Sequence, residues 1–323
     1  MKKICKYISV LMIILLVLPT IFLASCKTLS DGGKMSIVCS TFAQYDFTMN
    51  ILGDASDKFE VSYLLESGTD MHSYSNSISV SDKVRILSCD LFICIGGNSE
   101  KWIDELLDDD AAKGVKVIKL IECVGEPVCT SEDAHEDHGH THAHECDEHI
   151  WLSPKRAIMM CDAICDAICE LDKENADIYT ENYRENYKKE LEKLDNDFEN
   201  TVSSAKLAHI VFADRFPFVY LTNDYNIGYS AAFEGCSTET SATYETVVRL
   251  VNDINEKNIK VLMILEKGGT DIADTLIKES GRNDITVMKM ISMQNVSRND
   301  IDGGMSYISA MYENLEVLGK AMN

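Results

Sequence analysis

The sequence predicts an α/β protein of two lobes, each built from βα units with a four-stranded sheet, joined by a long rigid linker helix. Three observations predict this fold class. Apolar, strand-like runs alternate with helix-like stretches, the strand-like runs form two sets of four, and one long charged segment lies between the sets. Alternating β and α segments are typical of α/β domains, and continuous apolar runs suit strands covered on both faces.

The predicted elements follow one another in a regular order. The first-lobe strands are 36–42, 59–65, 91–97 and 115–121, with helices at 45–54, 79–88 and 99–108. The second-lobe strands are 209–214, 227–233, 260–266 and 285–291, with helices at 239–258, 271–281 and 304–322.

The segment 173–207 is predicted to be the linker helix. It lacks proline and glycine, and apolar residues recur along it at spacings of three and four, at Tyr179, Tyr183, Tyr187, Leu191 and Leu194. This spacing gives one apolar face to an otherwise charged helix. A helix of about 30 residues spans roughly 45 Å, which predicts a rigid connection that limits how far the lobes can swing.

The N-terminus predicts export and lipid anchoring. A short basic start and an apolar run end at Leu23-Ala24-Ser25-Cys26, which resembles the cleavage motif of bacterial lipoproteins. A plain cleaved signal or a membrane span is the alternative, but the run is short for a span. We therefore expect a signal peptide at 1–26 and a lipidated Cys26 at the outer face of the cell membrane, extracellular or periplasmic.

The remaining chain is long enough for two lobes. We expect a first lobe at 27–172, the linker at 173–207 and a second lobe at 208–323. The formal net charge of −23 argues against nucleic acid as a partner and suits a surface that attracts cations.

Twelve cysteines in an exported chain would ordinarily indicate disulfides, but their positions favour another interpretation. Three lie in or beside strand-like runs and three recur every fourth residue along the helical stretch 155–172, namely Cys39, Cys89 and Cys94, and then Cys161, Cys165 and Cys169. A thiolate metal face on that helix is the alternative. We favour cysteine as a small core hydrophobe.

A histidine- and acid-rich segment, 132–148, looks like a metal site but lacks apolar anchors. Five histidines lie among acidic residues here: His135, His138, His140, His142 and His144. We expect these histidines to be mobile. The segment is either a loose cation-collecting loop or a solvated loop of no consequence.

Several stretches, in this order and at this spacing, resemble one protein family. They are STFAQYDFTMNILGD, GTDMHSYSNSISVSDKVRILSCDLFICIGGNSEKW, EHIWLSPKRAI, the long charged helix, FADRFPFVYLTNDYNIGYSAAFEGCS and SYISAMYENLEVLGKAM. Together the chain resembles the metal-binding solute-binding lipoproteins of bacterial ABC importers, the zinc and manganese group called ZnuA-like or TroA-like. The resemblance implies two βα lobes joined by a long helix, with the metal held in the cleft between them.

The resemblance also implies ligands. The histidine that opens the HIWLSP motif is His149, followed by Ser153 and Pro154, a helix-start signal. His72, in the GTDMHSY pattern, is the second expected ligand. Asp214 stands where related sequences carry a third donor, although it could instead pair with Arg215.

Two further positions are candidates for the predicted site. His209 begins its strand, far from the end where α/β sheets bind ligands, so we interpret it as structural. After the last strand the expected fourth donor is missing, and Gln294, water or the mobile loop is left to complete the shell. Two imidazoles and one carboxylate suit Zn²⁺ first, with Mn²⁺ or Fe²⁺ less favoured.

The sequence thus predicts a monomeric binding component that delivers a metal ion to an ABC permease and its ATPase. A zinc hydrolase would use a similar ligand set, but the sequence has neither an HExxH pair nor a GxSxG element, so we predict no enzyme. The alternative function is a surface metal-storage lipoprotein or an adhesin on the same scaffold.

Overall fold

Two parallel four-stranded sheets form the framework of the protein, as predicted. The computed structural model describes residues 33–74, 78–108, 110–129, 146–235 and 242–323, and Met35–Asn323 form one compact unit. The first sheet has the order β2-β1-β3-β4 and the second the order β6-β5-β7-β8. Their bounds are β1 (Met35–Cys39), β2 (Phe59–Tyr63), β3 (Leu91–Cys94), β4 (Lys116–Lys119), β5 (His209–Phe216), β6 (Gly228–Glu234), β7 (Val261–Leu265) and β8 (Thr286–Met290).

Helices pack on both faces of each sheet, which explains why the central strands are apolar throughout. In the first lobe they are α1 (Phe42–Leu52), α2 (Met71–Tyr74), α3 (Val80–Ser88), α4 (Trp102–Leu107) and α5 (Pro154–Leu171). In the second lobe they are α8 (Val219–Asp224), α9 (Tyr244–Glu256), α10 (Asp271–Ser280), α11 (Arg298–Asp302) and α12 (Tyr307–Ala321), and the linker contains α6 (Ala176–Glu181) and α7 (Lys188–Ser203).

The linker is helical as predicted but is not a regular α-helix. Between α6 and α7 lies a π-helical segment, Asn182–Tyr187. The Asn182 side-chain amide donates hydrogen bonds to the carbonyls of Ile51 at 3.3 Å and Leu52 at 2.9 Å, at the C-terminal end of α1. The predicted apolar face is buried at all five positions, Tyr179, Tyr183, Tyr187, Leu191 and Leu194.

A single hydrophobic cluster extends through both lobes and the linker. It joins Ile37 and Ile93 of the first sheet, Leu191 of the linker, and Phe212 and Met263 of the second sheet. Two smaller clusters fill the outer faces of the two lobes. Because the lobes share one packed interior, moving one against the other disturbs close-packed contacts.

The cysteines follow the prediction with one exception. Cys161 and Cys165 of α5 are buried with free thiols, as are Cys39, Cys89 and Cys94, and burial raises the pKa of the Cys165 thiol to about 12. The exception is a disulfide between Cys129 and Cys146. The core-cysteine interpretation did not cover these two residues, which flank the acidic segment and meet only where the folded chain brings them together.

The predicted signal peptide and Cys26 lie outside the described residues. Within the described ranges, no helix combines the length and the apolar character needed to cross a membrane.

Candidate metal site

His72 lies on α2, just beyond the carboxyl end of β2. Met71 beside it is buried and anchors this short helix to the lobe. The backbone N–H of His72 donates to Asp70 Oδ1 at 3.0 Å. The His72 side chain remains 16% exposed, so its ring reaches both the protein and the solvent.

His149 lies at the start of the helical turn Ile150–Leu152, which leads into α5. Ile150, Trp151 and Leu152 are fully buried, and His149 itself is only 1% exposed. Ser153 and Pro154 occupy the N-cap and first helical positions of α5, as predicted. The Ser153 hydroxyl, however, donates to Asp224 Oδ2 in the second lobe at 2.7 Å. The turn therefore connects His149 to both lobes.

The two imidazoles meet. The Nε2 atoms of His72 and His149 are 3.2 Å apart, although the residues are 77 positions apart in the chain. Two nitrogen ligands of a tetrahedral zinc ion, each about 2.0–2.1 Å from the metal, are roughly 3.3–3.4 Å apart. The observed separation matches the geometry of one shared ion.

Each imidazole has a carboxylate next to its Nδ1 atom. His72 Nδ1 lies 3.1 Å from Glu148 Oε1 and 2.6 Å from Ser99 Oγ. His149 Nδ1 lies 2.9 Å from Asp147 Oδ1. A carboxylate that accepts the Nδ1 hydrogen leaves the Nε2 lone pair for a metal and raises its basicity. Two such lone pairs facing each other repel unless a proton or a cation lies between them.

Glu148 remains ionised in its buried position. Burial opposes its charge, but hydrogen bonds with His72 and Ser99 outweigh that effect and lower the pKa of Glu148 to about 2. The backbone N–H of Ser99 donates to Glu148 Oε2 at 2.9 Å. A Cβ at Gly97 would clash with the same oxygen. The close approach of Glu148 therefore explains the glycine at position 97.

Asp147 and Glu148 are the site residues that sequence reasoning missed. The expectation of mobility concerned the five loop histidines, which lie outside the described residues, whereas the last three residues of the segment, 146–148, are described. The side chains of Asp147 and Glu148 are only 7% and 6% exposed. The available signal was their position directly before His149, where a short chain can return a carboxylate to a neighbouring ring.

Asp214 lies within β5, near its carboxyl end, and is half-buried. Its Oδ1 accepts from the backbone N–H of Arg215 at 2.8 Å and its Oδ2 from that of Leu265 at 3.2 Å. Among the described residues, no ion pair joins the side chains of Asp214 and Arg215. Ligation by Asp214 remains a prediction.

The loop after β8 meets the His149 turn from the second lobe. The Trp151 indole N–H donates to the Ser292 carbonyl at 2.9 Å, and the Trp151 and His149 rings are 5.3 Å apart between centroids. Ser292 Oγ in turn donates to Glu266 Oε1 at 2.9 Å. Gln294 is buried in this loop, next to Met293, whose φ of 59° is rare for a side-chain-bearing residue.

The remaining histidines divide clearly. His209 Nε2 lies 3.1 Å from Ser230 Oγ at the start of β5, and burial together with the charge of Lys257 lowers its pKa. This placement agrees with a structural role. The five loop histidines, His135, His138, His140, His142 and His144, lie outside the described residues.

Within the part of the chain that the structure describes, no three His, Cys, Asp or Glu side chains form a group able to hold a metal ion. The His72–His149 pair would therefore need further donors to hold a metal ion.

Comparisons with known proteins identify the family of this chain. A family model described as zinc-uptake complex component A, periplasmic (ZnuA), matches residues 37–321. The zinc-binding lipoprotein AdcA of Streptococcus pneumoniae is 29% identical over 305 residues, which cover 93% of this chain and 58% of that protein. The high-affinity zinc uptake system protein ZnuA of Bacillus subtilis is 27% identical over 295 residues, covering 90% of this chain and 88% of that protein.

The fold has the same relatives. The crystal structure of the Zn(II)-bound ZnuA-like domain of S. pneumoniae AdcA superposes with a TM-score of 0.72 at 27% identity, covering 90% of this chain and 99% of that domain. This chain therefore spans 58% of the length of its AdcA relative but nearly all of the ZnuA-like domain.

Proposed function

This chain belongs to the ZnuA family of zinc-uptake components, and from that premise we propose that it captures one zinc ion between its lobes and delivers it to an ABC permease and ATPase. The observation that carries the proposal is the 3.2 Å separation of the His72 and His149 Nε2 atoms. Two neutral imidazoles at this distance, each with a carboxylate behind it, suit a borderline divalent cation.

Asp214 is the proposed third ligand. It belongs to the second lobe, so its ligation would join the two lobes through the ion. Water, Gln294 or the histidine-rich segment completes the shell. The same donors would accept Mn²⁺ or Fe²⁺ less readily than Zn²⁺.

The proposal places the protein outside the membrane. Cys26 would become the lipidated N-terminus after cleavage on its N-terminal side, and the monomeric domain would comprise the lobes 27–172 and 208–323 with the linker 173–207. The strongly acidic surface would favour cations near the site. We propose no catalytic activity.

Calorimetry of the purified domain tests this proposal. We expect one zinc ion to bind tightly per chain, and we expect His72→Ala or His149→Ala to weaken binding by about 100-fold or more, because each removes one of few ligands. His209→Gln is the matched control and should leave the affinity unchanged.

Two results would contradict the proposal. An affinity in both alanine variants equal to that of the unsubstituted chain would show that the imidazole pair is not the site. Several weak ions without one tight ion would favour the metal-storage alternative.

A further inference from the structure

Residues 128–129 and 146–147 lie on either side of the five loop histidines and are held together. We call these four residues the neck. The disulfide joins Cys129 to Cys146, and the two residues also form an isolated antiparallel bridge. The backbone N–H of Asp147 donates to the Val128 carbonyl at 2.9 Å. Two chain segments separated by 17 positions are therefore fixed side by side.

The second lobe contacts the neck through the hydroxyl group of Tyr220. Tyr220 OH, on α8, accepts from the Val128 N–H at 3.2 Å and donates to the Asp147 carbonyl at 2.7 Å. The Arg156 guanidinium of α5 lies 4.4 Å from the centre of the Tyr220 ring and pairs with Asp224 of α8 at 2.9 Å. Tyr220 is fully buried, so its position is set by packing.

The neck continues directly into the site. Asp147 Oδ1 accepts from both the backbone N–H and Nδ1 of His149, at 2.8 and 2.9 Å. Glu148, the next residue, places its carboxylate behind His72. One short stretch of chain, fixed at one end by a disulfide, therefore orients both imidazoles.

We propose that the Cys129–Cys146 disulfide and Tyr220 are positioning elements of the metal site, so that opening the disulfide weakens zinc capture. This inference rests on the proposed function. Reduction breaks the S–S bond and gives two thiols, which gain two electrons and two protons from a dithiol that itself becomes a disulfide. Released from this constraint, residues 146–148 no longer fix the two carboxylates, and the imidazoles lose their shared orientation.

The test compares zinc affinity with the neck closed and open. It uses chelator competition on the full domain in which the five loop histidines are replaced by asparagine, so that only the two-imidazole site is measured. We expect Cys129→Ser/Cys146→Ser to bind zinc about 10-fold more weakly, the lower range for altered partners of metal ligands. The chain with its native cysteine pair should show the same loss after reduction by a dithiol. The dithiol is then removed under anaerobic conditions.

Matched controls separate positioning from general destabilisation. Cys123→Ser removes an exposed free thiol close in sequence to the neck and should change nothing. Tyr220→Phe keeps the ring over Arg156 but removes the bridging hydroxyl, and should weaken binding several-fold. Tyr225→Phe removes a hydroxyl bonded to Asp195 instead and should not.

A spectroscopic readout reports the ligands directly. Co²⁺ bound in place of zinc should show altered d–d absorption bands when the neck is open, because the ligand geometry changes. Zinc affinities within twofold for the oxidised, reduced and double-serine forms would overturn the inference, as would tighter binding after reduction. Absence of zinc binding in the oxidised chain would instead contradict the proposed function.

Discussion

At the site, Asp147 and Glu148 are consecutive residues whose carboxylates turn to different histidines. Asp147 supports His149, its neighbour in sequence, and Glu148 supports His72, which arrives from another part of the first lobe. Both carboxylates lie next to Nδ1, and the two Nε2 atoms lie 3.2 Å from each other. The pair of acids therefore sets the orientation of the ligands.

Replacing Glu148 tests this arrangement at a single residue. Glu148→Gln removes the negative charge behind His72 while nearly preserving shape, so the imidazole becomes a weaker base. We expect zinc affinity to fall about 10-fold, measured by chelator competition at neutral pH. Glu126→Gln, at an exposed position before the neck, is the control, and equal affinity in both variants would contradict a supporting role for Glu148.

Residue-scale prediction from sequence named the two histidines but not the carboxylates beside them. His72 and His149 were identified from motif resemblance, and the structure brings their rings together. Asp147 and Glu148 looked like two more charges in an acidic segment. The position of Glu148 depends on Ser99 and Gly97, which are distant in sequence, so the local signal before His149 does not identify His72 as its partner.

At the scale of elements, the linker departs from a regular helix where it meets α1. Asn182 begins the π-helical segment and satisfies two carbonyls at the end of α1. Helix ends leave carbonyls without intrahelical partners. The irregular turn thus accompanies a contact that joins the linker to the first lobe.

We expect Asn182→Ala to lower the free energy of unfolding by about 1–2 kcal/mol, because two partly buried carbonyls lose their donor. Urea unfolding measures the change. Asn186→Ala replaces the same residue type four positions later, on the exposed side of the same segment, and should cost little. A similar loss in both variants would contradict a specific role for the Asn182 hydrogen bonds.

The elements themselves were largely predictable. The strand predicted at 59–65 is observed at Phe59–Tyr63 and that predicted at 285–291 at Thr286–Met290, because apolar runs bounded by polar turns are a local signal. The π-helical segment and the Cys129–Cys146 disulfide were not predictable. Each depends on contacts between segments that only the folded chain brings together.

At the scale of the whole molecule, the first lobe, the linker and the C-terminal helix α12 meet at Asp46. Asp46 Oδ2 accepts from the Tyr307 backbone N–H at 3.2 Å and from the Tyr187 hydroxyl at 3.4 Å. Burial outweighs these bonds and raises the pKa of Asp46 to about 6. The junction of three parts of the fold therefore carries a carboxyl group that ionises only at a higher pH than a free aspartate does.

This preference predicts a pH dependence of stability. Between about pH 4, where a free aspartate ionises, and pH 6, the folded chain binds more protons at Asp46 than the unfolded chain. The contribution of Asp46 to the free energy of unfolding therefore falls as pH rises through this window. In urea unfolding at several pH values, Asp46→Asn should remove that fall. Asp57→Asn, at an exposed position, should retain it, and an unchanged pH profile for Asp46→Asn would refute the assignment.

The unequal burial of the two imidazoles has a mechanical consequence. Turning His149 disturbs Trp151, whose indole is bonded to the far half of the protein. Moving His72 breaks its contacts with Glu148 and Ser99 but shifts only a four-residue helix of the first lobe. The path of lower cost for unloading a captured ion is therefore a displacement of His72, with His149 stationary.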